Sequence, residues 1–228
     1  MKTLLAILSH SGANETVARH WPWFKKAECD ILGVGRENTV CIWPCAAGED
    51  LGNGAKFIGS VNIGKESGPS GDNHIRRFLD VLTMFVSMGD YSHIIITEYD
   101  SLFFRPPPEH PGWFVAKVAG YKTPGFNGRR FFHTPWYLNY PSAVSVIGYG
   151  ETMLRAGLIE HGYIDRFLGL MVDLYPVEWH DTGNTTYTQN TIHKPEHIQE
   201  VRDMVKRGGW FCHGVKSPEV LAAITEGL

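Results

Sequence analysis

The run Ile94-Ile95-Ile96 constrains the fold most, because it stops abruptly at two carboxylates, Glu98 and Asp100, with only Tyr99 between them. A strand with one face in water alternates apolar and polar residues. An unbroken isoleucine run instead belongs to a strand covered on both faces, as the central strand of a helix-flanked α/β sheet is. Chemistry is expected at the end of such a strand, since in open α/β sheets ligands bind outside the carboxyl ends of the strands. If the backbone stays extended, Glu98 and Asp100 point to one side with Cα atoms about 6.6 Å apart, at roughly 3.3 Å per residue. That spacing suits two oxygens reaching for one hard cation, and without a cation the two charges repel. The plain alternative is a polar strand end.

The flanking sequence extends this pattern. Leu4 to Leu8 reads as a first strand, followed by the small polar loop Ser9-His10-Ser11-Gly12 and a helix over 13–26 with Asn14 as a cap. Further strands are expected at Cys29 to Gly33 and Thr39 to Trp43. A long glycine-rich loop over 48–71 holds at most a short strand at Phe57 to Val61. A helix from Asp72 or Asn73 to Met88 carries Ile75, Phe78, Leu79, Leu82 and Phe85 on one face and leads into the isoleucine strand. The triple proline 106–108 then takes the chain out of the sheet. Strands are expected at Trp113 to Gly120 and Pro141 to Ile147, with an aromatic loop from Phe126 to Tyr140 between them. Helices follow over 150–161, 165–174 and 195–207, then a short strand or loop at 210–216 and a last helix from Pro218. Strands alternating with helices in the first half imply an α/β fold with a mainly parallel sheet, mixed in the second half.

Composition excludes several classes of function. A chain of 228 residues with a formal net charge of -3 has no electrostatic reason to take nucleic acid or an anionic membrane as its main partner. No apolar run reaches the roughly 18 residues of a membrane span, and the N-terminal run is shorter than a signal-peptide core. The cysteines Cys29, Cys41, Cys45 and Cys212 include no CxxC pair, and Pro44 interrupts Cys41 and Cys45, so free thiols in a reducing cytoplasm are expected rather than zinc or disulfides. A single-domain cytoplasmic enzyme of small molecules fits these limits.

Several segments carry candidate chemistry. Carboxylates, water and phosphate oxygens are the ligands Mg²⁺ or Mn²⁺ prefers, and a site with two protein carboxylates keeps positions open for a diphosphate. His213, in Phe211-Cys212-His213-Gly214-Val215-Lys216, is either a packed histidine or a ligand; Gly214 permits close backbone approach and Lys216 is suited to a phosphate. Ser9, His10 and Ser11 form either a simple turn or a seat for a nucleoside base and ribose. The segment Arg129-Arg130-Phe131-Phe132-His133-Thr134-Pro135-Trp136-Tyr137 either packs beneath its loop or floors a sugar or lipid-linked acceptor, with Arg129 steadying a diphosphate. Glu178, His180 and Asp181 form another polar cluster able to hold an acceptor or supply a base.

A strand that ends in the triplet Glu98-Tyr99-Asp100 about a hundred residues in, downstream of a strand, loop and helix, resembles the nucleotide-diphospho-sugar glycosyltransferases of the GT-A fold, whose DxD motif is similar to this triplet. Glu98 stands where that motif has its first Asp. The resemblance implies a metal-dependent transfer of a sugar from a nucleotide-diphosphate donor to a carbohydrate or other acceptor hydroxyl, with Mn²⁺ or Mg²⁺ as cofactor. It places His213 as the histidine near the C-terminus that completes the metal site. It also makes Asp165 the acidic residue at a helix start that serves as base or orients the acceptor, although Ile164 precedes it where inverting members carry an acidic residue. On this reading residues 1–105 form the nucleotide-binding part and 106–228 the acceptor part of one domain. Two alternatives stay open: a nucleotidyltransferase that makes a nucleotide sugar, against which Ser9 to Thr16 offers one glycine and no Lys or Arg, and a nucleotide- or carbohydrate-binding protein without chemistry.

Overall fold

The computed structural model describes residues 2–8, 30–34, 39–42, 56–57, 73–108, 113–115, 118–120, 130–159 and 163–226. A seven-stranded mixed sheet runs through them. Its strands are β1 (Thr3–Leu8), β2 (Thr39–Ile42), β3 (Lys56–Phe57), β4 (His93–Glu98), β6 (Trp113–Val115), β9 (Trp136–Asn139) and β10 (Trp179–Asp181), in the order β10-β6-β9-β4-β1-β2-β3. β1 pairs parallel with both β2 and β4, β2 with β3, and β10 with β6, whereas β9 runs antiparallel to β4 and β6. The isoleucine strand β4 is therefore fourth of seven.

Both of its faces are covered, and this is why the sequence shows no alternation. Leu4, Ala6, Ile94 and Ile96 face a core built with α1 (Asn73–Met88), α2 (Tyr140–Arg155) and α3 (Ile164–Leu174). Leu5, Ile7 and Ile95 face the opposite way, toward Val34, Phe103, Trp210 and Phe211. On that second side lies a three-stranded sheet, β11 (Thr186–Thr188), β12 (Phe211–His213) and β5 (Ser101–Phe103), backed by α4 (Pro195–Lys206) and α5 (Pro218–Thr225) through Leu102, Val201, Met204 and Ile224. β7 (Val118–Gly120) and β8 (Arg130–Phe132) form a separate hairpin-like pair.

Several expectations change. Residues 30–32 are helical rather than a strand, with Ile31 and Leu32 against the second core and Gly33 at φ +63, the left-handed conformation that ends helices. Pro141 to Ile147 begins α2: the Asn139 side chain accepts a hydrogen bond from Ser142 N at 2.9 Å, and Ala143, Val146, Gly150 and Met153 are buried at helical spacing. The strand expected there is the first part of this helix, in which Ala143 and Val146 are buried and Val144 between them is 45% exposed. The expected helix over 150–161 is the second half of α2, which ends at Arg155. Trp113 to Gly120 contributes two strands to different sheets, and the aromatic stretch holds β8 and β9 rather than only loop. The loop Ser9 to Gly12, the helix over 13–26 and Arg129 lie outside the described residues.

Candidate metal and substrate site

Chain connectivity builds the site where the two sheets meet. β4 ends at Glu98, opposite Leu8 of β1, and Tyr99 N donates to Leu8 O at 2.9 Å. Tyr99 and Asp100 then form a turn, and β5 enters the small sheet. The expected extended geometry is thus replaced by a turn, which separates the carboxylates by environment: Glu98 is partly exposed, whereas Asp100 is only 3% exposed. β12 lies antiparallel to β5 with His213 opposite Ser101, bringing the histidine to both acids. Gly214 N and Val215 N both donate to the Asp100 carbonyl, at 3.1 and 2.9 Å. Gly214 has φ +103, and a Cβ there would stand 2.2 Å from the Gln189 carbonyl oxygen. Its glycine is therefore required by the backbone conformation and by the Gln189 carbonyl.

His213 Nε2 lies 2.6 Å from Glu98 Oε2 and 3.2 Å from Asp100 Oδ1, and Lys216 Nζ lies 3.7 Å from Asp100 Oδ2. Glu98, Asp100 and His213 each offer one ligand atom, all within 4.8 Å of one another, and so form a group able to hold a metal ion. The fit is supported by Asp100 Oδ1, a buried oxygen whose contact with His213 lacks hydrogen-bond geometry and which has no hydrogen-bond partner among the described residues. Two carboxylates and one imidazole are a donor set for a divalent cation. Electrostatics agree with a site built for positive charge. Burial pushes the Asp100 carboxyl up, yet the His213 and Lys216 cations outweigh it and hold it below the usual carboxylate range. Burial pushes His213 down, but the two carboxylates raise it to about 10. Burial and the same two acids push Tyr99 up to about 12.

Two adjoining cavities open on this group. One, of about 230 Å³, is lined by Leu8, Arg77, Glu98, Asp100, His213 and Lys216. The other, of about 420 Å³ and within the range of small-molecule sites, shares Glu98 and His213 with the first and continues to Phe131, His133, Tyr163 and Asp165. Asp165 stands in the first turn of α3, its Oδ1 accepting from Arg166 N at 2.9 Å and its Oδ2 lying 4.0 Å from His133 Nδ1. Burial raises its pKa, with Glu98 adding to the rise and His133 opposing it.

The structure therefore brings Glu98, Asp100, His213, Lys216 and Asp165 around connected cavities. His180 and Asp181 belong to the edge strand β10 and line neither one; Asp181 Oδ1 accepts from Gly183 N at 2.9 Å and Val118 N at 3.3 Å. Ser9, His10, Ser11 and Arg129 lie outside the described residues. Sequence reasoning missed Arg77, Tyr163, Arg166 and Asn190, whereas Phe131 and His133 belong to the aromatic segment expected to floor an acceptor, and both line the larger cavity. Arg77 carried a signal, since it stands four residues before Val81, one helical turn away, and the structure buries both. Asn190 carried none; it reaches the cavities through the loop after β11.

No family model and no curated protein matches the chain. Among solved structures, it is similar to the crystal structure of a glycosyltransferase involved in the glycosylation of the major capsid of PBCV-1, with a TM-score of 0.51 and 13% identity over 92% of this chain and 93% of that one. A likeness at this identity concerns the fold. Among the described residues, no helix is long and apolar enough to cross a membrane.

Proposed function

We propose that the protein is a metal-dependent glycosyltransferase of the GT-A fold that moves a sugar from a nucleotide-diphosphate donor to an acceptor hydroxyl. The observation that carries this reading is the meeting of Glu98, Asp100 and His213 at the carboxyl end of β4, the central strand of the mixed sheet, beside a cavity with Arg77 and Lys216 in its wall. The likeness of fold to a solved glycosyltransferase supports it.

Asp100, Glu98 and His213 would hold Mn²⁺ or Mg²⁺, which when bound neutralises negative charge developing on a diphosphate leaving group. Lys216 and Arg77 supply fixed positive charge for the phosphate oxygens in the same cavity. Asp165 lines the neighbouring cavity, and its raised pKa suits a carboxylate that takes the acceptor proton in an inverting reaction. In a retaining reaction the leaving phosphate takes that proton and Asp165 orients the acceptor. His180 and Asp181 keep a structural role at the sheet edge. The cytoplasm, as a reducing compartment that supplies nucleotide sugars, is the proposed location.

Titration calorimetry with UDP, GDP, ADP and dTDP, each with and without Mn²⁺, tests the reading together with a hydrolysis assay over the corresponding nucleotide sugars. At least one nucleotide is expected to bind only with the metal. Asp100→Ala should weaken that binding more than about a hundredfold. Metal-independent binding, or full binding and turnover by the variant, would sink the assignment.

A further inference from the structure

We infer that the 420 Å³ cavity is the acceptor site and that its acceptor is a carbohydrate, seated with a ring against Tyr163 and a hydroxyl between His133 and Asp165; this rests on the glycosyltransferase reading for the role of the shared wall, Glu98 and His213. Tyr163 immediately precedes α3 and is 45% exposed, although it lines a cavity that reaches the metal-binding group. The Arg166 guanidinium lies 5.0 Å from the centroid of the Tyr163 ring and 5.7 Å from that of Phe131. One cation over two rings fixes the orientation of the exposed one. A fixed, exposed aromatic ring offers an apolar platform to the C–H face of a pyranose, while its surroundings stay polar.

The hydroxyl position follows from the imidazole and the carboxylate. His133 Nδ1 and Asp165 Oδ2 are 4.0 Å apart, too far to bond each other. One hydroxyl oxygen can lie about 2.8 Å from both, donating to the carboxylate and accepting from the ring if that nitrogen carries a proton. Asn190 adds an amide on the side shared with the first cavity. An acyl chain in this space would cover the Asp165 carboxyl, 27% exposed, without returning hydrogen bonds, whereas the hydroxyls of a sugar return them. The lining therefore selects a carbohydrate over a lipid.

Saturation-transfer NMR tests this with the methyl glycosides of glucose, galactose, mannose and N-acetylglucosamine and with lactose and maltose, in the presence of diamagnetic Mg²⁺ and the nucleoside diphosphates. At least one glycoside should bind the wild-type protein. Tyr163→Ala should weaken it about tenfold, and Tyr163→Phe, which keeps the platform, should stay within about twofold. His133→Ala should weaken it as well. The inference is overturned if no glycoside binds the wild-type protein or if Tyr163→Ala binds as tightly as wild type. Calorimetric binding of the nucleotides to the same preparations separates the two readings. Nucleotide binding without any glycoside binding defeats the acceptor site alone. Glycoside binding that needs Tyr163, in a protein that takes no nucleotide, supports the site and defeats the donor reading.

Discussion

Lys216 Nζ stands 3.7 Å from Asp100 Oδ2, on the opposite oxygen from His213, so the buried carboxylate faces a cation on each side. In the absence of donor, Lys216 competes electrostatically with any metal ion for that oxygen. Lys216→Met should therefore tighten Mn²⁺ binding alone about threefold, a modest gain because the ammonium is 42% exposed and screened. The same variant should weaken the metal-dependent binding of a nucleoside diphosphate if Lys216 meets the phosphates, as proposed. Calorimetry with Mn²⁺ alone and then with nucleotide reads both; a parallel change in the two would show that Lys216 does not meet the phosphates.

Asp165 has a raised carboxyl pKa because burial and the nearby Glu98 disfavour its charge. A raised folded value means that this group's contribution to stability is fully present below the ordinary carboxylate value of 3.8 and is lost as pH rises through the folded value. At pH 7, above the ordinary carboxylate value, the group is thus a net cost to the fold. Asp165→Asn keeps an oxygen to accept from Arg166 N, so it should raise the melting temperature at pH 7 while lowering transfer activity. The stability gain should vanish as the pH is brought below about 4. Melting curves at pH 3.5 and pH 7 check the sign.

Gly169 lets α3 lie against β8, because a Cβ there would stand 1.9 Å from the Arg130 carbonyl oxygen. α3 carries Asp165 in its first turn, and His133 follows β8 directly. Gly169→Ala should push the helix from the strand, cost about 2 kcal/mol of stability and alter the spacing of Asp165 and His133. The proposed metal-dependent nucleotide binding, whose candidate ligands Glu98 and His213 stand on β4 and β12, should stay close to wild type while the proposed transfer activity falls. Chemical denaturation and calorimetry on one preparation measure both effects.

Asn139 caps α2 through its side-chain oxygen and Ser142 N. Asn139→Ala should cost about 1 kcal/mol and lower the melting temperature by roughly 2–4 °C. An unchanged melting temperature would mean that the cap adds nothing to the helix.

Local sequence determined the central strand, the covering helix Asn73–Met88 and the acidic end of β4, because each depends on residues close together in the chain. Ile94, Ile95 and Ile96 report burial on both faces directly, and the 3.6-residue spacing of Ile75, Phe78, Leu79, Leu82 and Phe85 reports one buried helix face. The strand expected at Pro141 to Ile147 failed for a related reason: seven residues show too little of a helical stripe, and the cap that starts α2 is a side-chain bond from Asn139, just outside that window.

Only the tertiary structure decided the site. Nothing within the triplet fixes its turn, since β5 leaves for the small sheet and pairs with β12, more than a hundred residues later, and that pairing carries His213 to Glu98 and Asp100. The meeting of Tyr163, Asp165 and His133 likewise depends on α3 packing against β8 at Gly169, a contact between segments far apart in sequence. Residue types announced that carboxylates, a histidine and aromatic rings were available. Sheet pairing and helix packing, which set distances between remote segments, determined which of them meet.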